Sequence, residues 1–181
     1  MEKSNNEYKS YKALSRQESA LLNTVEEFII FSLPIIKKLT RWKSTTIANT
    51  LTSLRKKKII TLVKRNHYTV TEKISENIFA IATSVTAPSY ISFWTAASYY
   101  GLTEQQIKTV QVVSIKQYPV IKIGNFVVET STCKPQKFFG YHKLQNFPIA
   151  EKEKLIVDIL FKPELCGGTE EVGKCLQNMW T

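Results

Sequence analysis

Long apolar runs are missing from this sequence. A membrane-spanning helix needs about 20 successive apolar residues, and the greasiest stretch, Phe28 to Ile36, is interrupted by Ser32 and Pro34. No membrane partner is expected. The opening residues Met1-Glu2-Lys3-Ser4-Asn5-Asn6 lead into no apolar core of a signal peptide, so the expectation is a cytoplasmic protein. Cysteine is scarce and odd in number. Cys133, Cys166 and Cys175 include no CxxC pair, which speaks against a disulfide framework and a zinc site and leaves reduced thiols, one or more of them buried. Proline and glycine are few, six of each in 181 residues, which excludes fibrous and low-complexity structure. No phosphate-binding glycine loop and no metal-ligand cluster occurs, and the second half holds one histidine, His142. An enzyme is not expected, nor any cofactor or metal.

The most informative absence is of one charge sign. Between Phe28 and Thr71 there is no Asp or Glu to offset Lys37, Lys38, Arg41, Lys43, Arg55, Lys56, Lys57, Lys58, Lys64 and Arg65. The whole chain carries +10, unevenly: residues 1–86 hold fifteen Lys and Arg against seven acids, and residues 87–181 hold ten against eight. A field of one sign draws in a polyanion.

What is present suits a folded protein of two small domains. The hydrophobic fraction of 43% and charged fraction of 22% are ordinary for globular chains. Residues 1–12 are polar, bury no face, and read as a flexible arm. Ser15-Arg16-Gln17-Glu18 resembles a capping box, and Ala20, Leu21, Val25, Phe28 and Ile29 recur at helical spacing, which predicts a helix over about 16–30. Ser32 can cap a short second helix ending near Thr40, with Pro34 in its first turn and Leu33, Ile36 and Leu39 buried. After Arg41-Trp42-Lys43, Ser44 can cap a third helix from Thr45 to about Lys57. Ile59–Val63 and His67–Thr71 are strand-like and flank the turn Lys64-Arg65-Asn66.

Three helices followed by a hairpin with a basic tip is the order of a winged helix-turn-helix domain, here residues 13–73. In that fold the third helix enters the major groove and the hairpin holds phosphates. Ile47, Leu51 and Leu54 project together toward a core, and the other side carries short polar groups suited to base edges. The expected base-facing residues are Thr45, Thr46, Asn49, Thr52, Ser53 and Lys56. Those expected to meet phosphates are Arg41, Lys43, Ser44, Lys57, Lys64, Arg65 and His67. The expected partner is double-stranded DNA, and Trp42 reads as a packing residue.

Residues 74–86 read as a connecting helix broken at Thr86-Ala87-Pro88, and 87–181 as a small mixed α/β domain, for an α+β fold overall. Ser89 to Gln105 reads as a helix of aromatic and small residues, Gly101 being its carboxyl-terminal cap. Strands are expected at 110–115, 120–123 and 126–130, with a hairpin turn at Gly124-Asn125, and another within 138–144. Helices are expected at Lys152–Phe161 and Thr169–Met179. Glu129 and Asp158 read as solvated or structural carboxylates rather than an acid–base pair, and the aromatics from Tyr90 to Tyr100 as core.

The run Tyr90-Ile91-Ser92-Phe93-Trp94-Thr95-Ala96-Ala97-Ser98-Tyr99-Tyr100-Gly101-Leu102-Thr103-Glu104-Gln105 closely resembles the signature of the AbiEi-type antitoxins of type IV toxin–antitoxin, abortive-infection systems, also described as transcriptional regulators of viral defence systems. Phe147 to Asp158 is similar to a second segment of that family. The resemblance implies a repressor that binds its own operator through the winged helix and autoregulates its operon. It further implies an antitoxin-type domain at 87–181 that counteracts a nucleotidyltransferase-like toxin, with direct binding to that toxin left open. The sequence is compatible with a monomer or a homodimer. Two other readings stay open: a winged-helix regulator whose second domain senses or dimerises without a toxin partner, and a protein-interaction module whose basic face meets an acidic partner.

Overall fold

The structure is a computed structural model that describes residues 14–103 and 108–179. The arm read at 1–12 and the Glu104-Gln105 end of the signature lie outside these residues. Among the described residues the chain is a mixed α+β protein with seven α-helices and two sheets. It divides into two compact units, Met1–Glu76 and Asn77–Thr181.

In the first unit, α1 spans Arg16–Val25 and starts on a complete capping box, in which Ser15 and Glu18 each hydrogen-bond the other's backbone N–H. The helix stops five residues short of the expected Ile30. Phe31 and Ser32 instead form a two-residue strand, β1 (Phe31–Ser32), that pairs antiparallel with a later strand and buries Phe31 completely. α2 (Leu33–Thr40) has Ser32 at its N-cap, without a side-chain capping bond, and Pro34 in its first turn. Ile36 is fully buried, whereas Leu39, expected on the same side, is 49% exposed. Successive i+3 steps drift by about 60° each on a helix, so the Leu33, Ile36, Leu39 series rotates out of the core.

α3 (Ser44–Lys56) buries Ile47, Thr50, Leu51 and Leu54. β2 (Ile60–Lys64) and β3 (His67–Val70) form a hairpin, and the three strands lie in the order β1-β3-β2. The register pairs Ile60 with Val70 and Lys64 with His67, which leaves Arg65 and Asn66 at the tip, Asn66 in the left-handed conformation at φ 61°. Leu21, Val25, Phe31, Ile36, Ile47, Leu54, Ile59 and Val70 fill the core, with Trp42 half-buried against it. Each such aliphatic side chain contributes about 1.5–3 kcal/mol by leaving water.

In the second unit the helix expected as a connector, α4 (Ile74–Val85), is interrupted at Asn77 (φ −115°), where the division between the two units falls. Beyond it Ile78, Ile81, Ala82 and Val85 are buried. β4 (Ser89–Ile91) follows a cis Ala87–Pro88 bond, and α5 (Phe93–Tyr99) follows β4. Then come β5 (Thr109–Ser114), β6 (Ile121–Ile123), β7 (Phe126–Thr132), β8 (Tyr141–Leu144), β9 (Phe147–Ala150), α6 (Lys152–Phe161) and α7 (Thr169–Met179). The strands form one sheet in the order β6-β7-β5-β4-β9-β8, with β5 parallel to β7, β4 parallel to β9, and the other neighbours antiparallel.

Ser89, Tyr90 and Ile91 are thus a central strand rather than the first turn of a helix. Tyr90 and Ile91 are fully buried between β5 and β9, and a buried strand has no alternation of polar and apolar residues to betray it. The helix after it ends as expected, with Gly101 at φ 72° and Leu102 N–H reaching back 2.8 Å to the Ala97 carbonyl. Phe147–Ala150 is likewise a strand, paired with β8. The three cysteines are free thiols, Cys166 and Cys175 buried and Cys133 half-buried.

Candidate nucleic-acid interface

The outer face of α3 is set by helical arithmetic. At about 100° per residue, Thr45, Asn49, Thr52 and Lys56 fall within about 60° of one another, opposite Ile47, Leu51 and Leu54. All four are exposed, so they make one continuous stripe of short hydroxyl, amide and ammonium groups. The first turn of α3 carries no acidic residue and its N-cap, Lys43, offers no side-chain acceptor. Its leading backbone N–H groups and the positive end of the helix dipole therefore have no capping side chain from Lys43, an arrangement that favours anions.

Ser53 and Lys57, both expected at the DNA, lie elsewhere. Ser53 projects about 80° from Thr45, on the flank facing α1, and donates its hydroxyl to Glu18 Oε1 at 2.7 Å. Lys57 Nζ lies 2.7 Å from Glu18 Oε2. Glu18 is 3% exposed. Its burial opposes ionisation, but the Lys57 ammonium, the Ser15 backbone N–H and the Ser53 hydroxyl together outweigh it and hold the carboxyl at about 2. Glu18 therefore uses Ser53 and Lys57 to tie α3 to α1, and its own charge is neutralised inside the unit. Thr46, on the same flank, is half-buried, its carbonyl accepting the Thr50 hydroxyl at 2.9 Å.

The other expected phosphate-facing residues fall in two groups, Arg41, Lys43 and Ser44 at the start of α3 and Lys64, Arg65 and His67 at the β2–β3 tip. Arg41 takes the left-handed conformation at φ 57° and closes α2, its N–H 3.0 Å from the Lys37 carbonyl. That tight turn exposes Arg41 and Lys43 beside the start of α3. Ser44 is the first helical residue rather than the cap, and it is exposed there. At the hairpin, Lys64, Arg65 and His67 are exposed; His67 Nδ1 lies 2.9 Å from the Arg65 carbonyl, which fixes the ring over the tip. Arg55 and Lys58, exposed at the end of α3, extend the same field.

The second unit holds a buried polar cluster that composition and spacing did not reveal. Asp158 on α6 accepts the Ser92 hydroxyl at 2.8 Å, the Tyr90 hydroxyl at 3.1 Å, and the ammonium of Lys154 one turn before it. Lys154 and Asp158 are 7% and 8% exposed. Burial, reinforced by the Asp158 charge, pushes the Tyr90 phenol up, so it stays a proton donor. The two segments that carry the family resemblance therefore touch through this cluster, Tyr90 and Ser92 from one and Asp158 from the other. The local sequence signal for it is confined to the i, i+4 spacing of Lys154 and Asp158. Glu129, on β7, has no part in it.

Among the described residues no group of His, Cys, Asp and Glu is placed to hold a metal ion, and no helix is long and apolar enough to cross a membrane. Comparison of the chain with protein-family models and with curated proteins gives no match.

Proposed function

We propose that the first unit is a winged helix-turn-helix domain that binds double-stranded DNA, with α3 in the major groove and the β2–β3 tip on the flanking backbone. One observation carries this reading: Thr45, Asn49, Thr52 and Lys56 form an exposed stripe bounded at both ends by cations, while the acid nearest to it, Glu18, is buried and neutralised. Asn49 at mid-stripe is suited to the N6 and N7 edge of adenine, and the threonines to either a hydrogen bond or a thymine methyl. Arg41, Lys43, Lys64 and Arg65 supply the phosphate contacts that fix register without reading sequence. The resemblance of Tyr90–Gln105 and Phe147–Asp158 to AbiEi-type antitoxins extends the proposal. The chain acts in the cytoplasm as the repressor of its own operon and as the antitoxin that counteracts a nucleotidyltransferase-like toxin, the second unit supplying the antitoxin part.

A gel shift on the region upstream of the reading frame, at 50 and 200 mM salt, tests the central claim. Phosphate contacts make affinity fall steeply with salt, by about 10³-fold or more for six contacts. Asn49→Ala should cost about 1–3 kcal/mol on the preferred site and little on random DNA. Equal loss on both sequences refutes base readout by Asn49, and flat salt dependence refutes DNA binding. Co-expression with a neighbouring nucleotidyltransferase-like frame tests the antitoxin role: Asn49→Ala should lose repression and keep rescue of growth.

A further inference from the structure

The second unit contains a cavity of about 540 Å3 that the DNA-binding reading does not use. Its volume lies within the range of about 300–1,000 Å3 typical of small-molecule sites. The wall has two kinds of surface. Lys134, Lys137, Lys154 and Lys162 line it, and Asp158 is the one carboxylate among its described lining residues. Asp158 is already paired with Lys154, so three ammonium groups remain without a carboxylate in the cavity. The second surface is apolar and largely aromatic: Phe139 and Phe161, 63% and 68% exposed, line the cavity with the exposed Val157, and apolar surface left open together in this way marks ligand grooves. Each ring has a cation beside it, Lys137 Nζ at 3.9 Å from the Phe161 centroid and Lys154 Nζ at 5.7 Å from that of Phe139.

The floor points the same way. Phe93 is buried and opens α5, after Ser92, at φ 51°, a left-handed conformation that a bulky residue rarely adopts. Strain of this kind gathers at ligand clamps. Phe93, Ser131 and Lys162 also line an adjoining recess of about 280 Å3, where the walls turn acidic with Glu129 and Glu164 and where Thr130 Oγ1 is buried without a partner. Lys162 Nζ donates to the Ser131 hydroxyl at 2.9 Å on the boundary between the two.

We infer that this cavity is a binding site for a small organic phosphate with a planar aromatic body, of the size and kind of a nucleoside monophosphate. The lysines take the phosphate, Phe139 and Phe161 cover the ring, and the carboxylates and Thr130 of the adjoining recess accept and donate to hydroxyls on the part between. An inorganic anion leaves the aromatic surface wet, and an uncharged nucleoside leaves the ammonium groups unpaired, so neither part alone is the ligand. The chemistry is binding: burial pushes the Cys133 thiol in the wall up, away from the thiolate a nucleophile needs.

Isothermal titration of the full chain with AMP, inorganic phosphate and adenosine in turn tests the site. AMP should bind at least about 10-fold more tightly than either fragment, and Lys137→Gln and Phe161→Ala should each weaken it at least about 5-fold. Both substitutions alter exposed side chains, and thermal melts that match the parent protein verify the fold; Phe139→Leu serves as a second probe of the aromatic wall. Arg65→Ala, in the first unit, should leave AMP binding unchanged. AMP binding no tighter than phosphate, binding that ignores Lys137 and Phe161, or binding lost with Arg65→Ala overturns the inference, the last because the anion would then be on the DNA-facing surface.

Discussion

Replacing Glu18 by Gln isolates the charge that ties α3 to α1. Gln keeps the length of the side chain; its one carbonyl oxygen, standing for Oε2, still accepts from the Ser15 backbone N–H, its NH2 donates to a Ser53 hydroxyl that turns to accept, and the Lys57 ammonium loses its anion. Glu18 titrates at about 2 against 4.5 for a free glutamate. At about 1.36 kcal/mol per pKa unit that displacement has an upper bound near 3 kcal/mol. Lys57 is 30% exposed, so water screens part of the attraction, and a loss of about 1–2 kcal/mol is expected at pH 7. The sign follows from linkage: a carboxyl depressed in the folded state adds stability that is fully present above about 4.5 and disappears as the pH falls through about 2. Parent and Glu18→Gln should therefore differ most at neutral pH and converge between pH 4.5 and pH 2, while other carboxylates move both proteins alike. Urea unfolding at a series of pH values, followed by the indole N–H resonance of Trp42, reads the first unit separately, because Trp42 packs on that unit's core. A gap below about 0.5 kcal/mol at pH 7, or one that persists unchanged to pH 2.5, refutes the reasoning.

Lys43→Ala and Arg65→Ala should weaken binding to all DNA sequences alike and lower the slope of log K against log salt by about 1 each; a change in sequence preference without a change in slope would reassign them. Asp158→Asn leaves the Lys154 ammonium buried and unpaired, a loss of about 3–5 kcal/mol, seen by calorimetry as a lower melting temperature of the second unit. Adding Lys154→Met should restore much of it, and a single substitution that costs under about 1 kcal/mol would show that water reaches the pair.

How far the fold was legible follows from where its signals are local. The capping box at Ser15 and Glu18, the Gly124-Asn125 turn, the Gly101 cap and the periods of α3, α6 and α7 are each written within a few residues, and each element formed where those residues put it. The strands at Phe31–Ser32, Ser89–Ile91 and Phe147–Ala150 are different. Each exists because a partner distant in sequence offers a free edge: β3 for the first, β5 and β9 for the second, and β4 for the third, which also closes a hairpin with the neighbouring β8. Tyr90 and Ile91 lie against an apolar and small-residue helix, so a continuous apolar run read as one helix conceals a strand followed by a helix.

The interface divides in the same manner. Thr45, Asn49, Thr52 and Lys56 follow from spacing alone, since four residues within about 60° of a helix projection must share a face. Ser53 and Lys57 lie about 80° and 120° from Thr45, and no local rule decides whether that flank meets solvent or a neighbouring helix. Glu18 decides it from 35 residues upstream of Ser53. An acid-free stretch of sequence is therefore not an acid-free surface: the single carboxylate brought over from α1 removes one expected DNA-facing lysine and one expected base-reading serine, and what remains facing outward is narrower and purely polar or basic. The same logic governs the second unit, where Asp158, beside Lys154 of its own helix, acquires the distant donors Tyr90 and Ser92 because α6 carries it to the β4–α5 segment. A charge whose partner is distant in sequence is the feature that composition overcounts as surface.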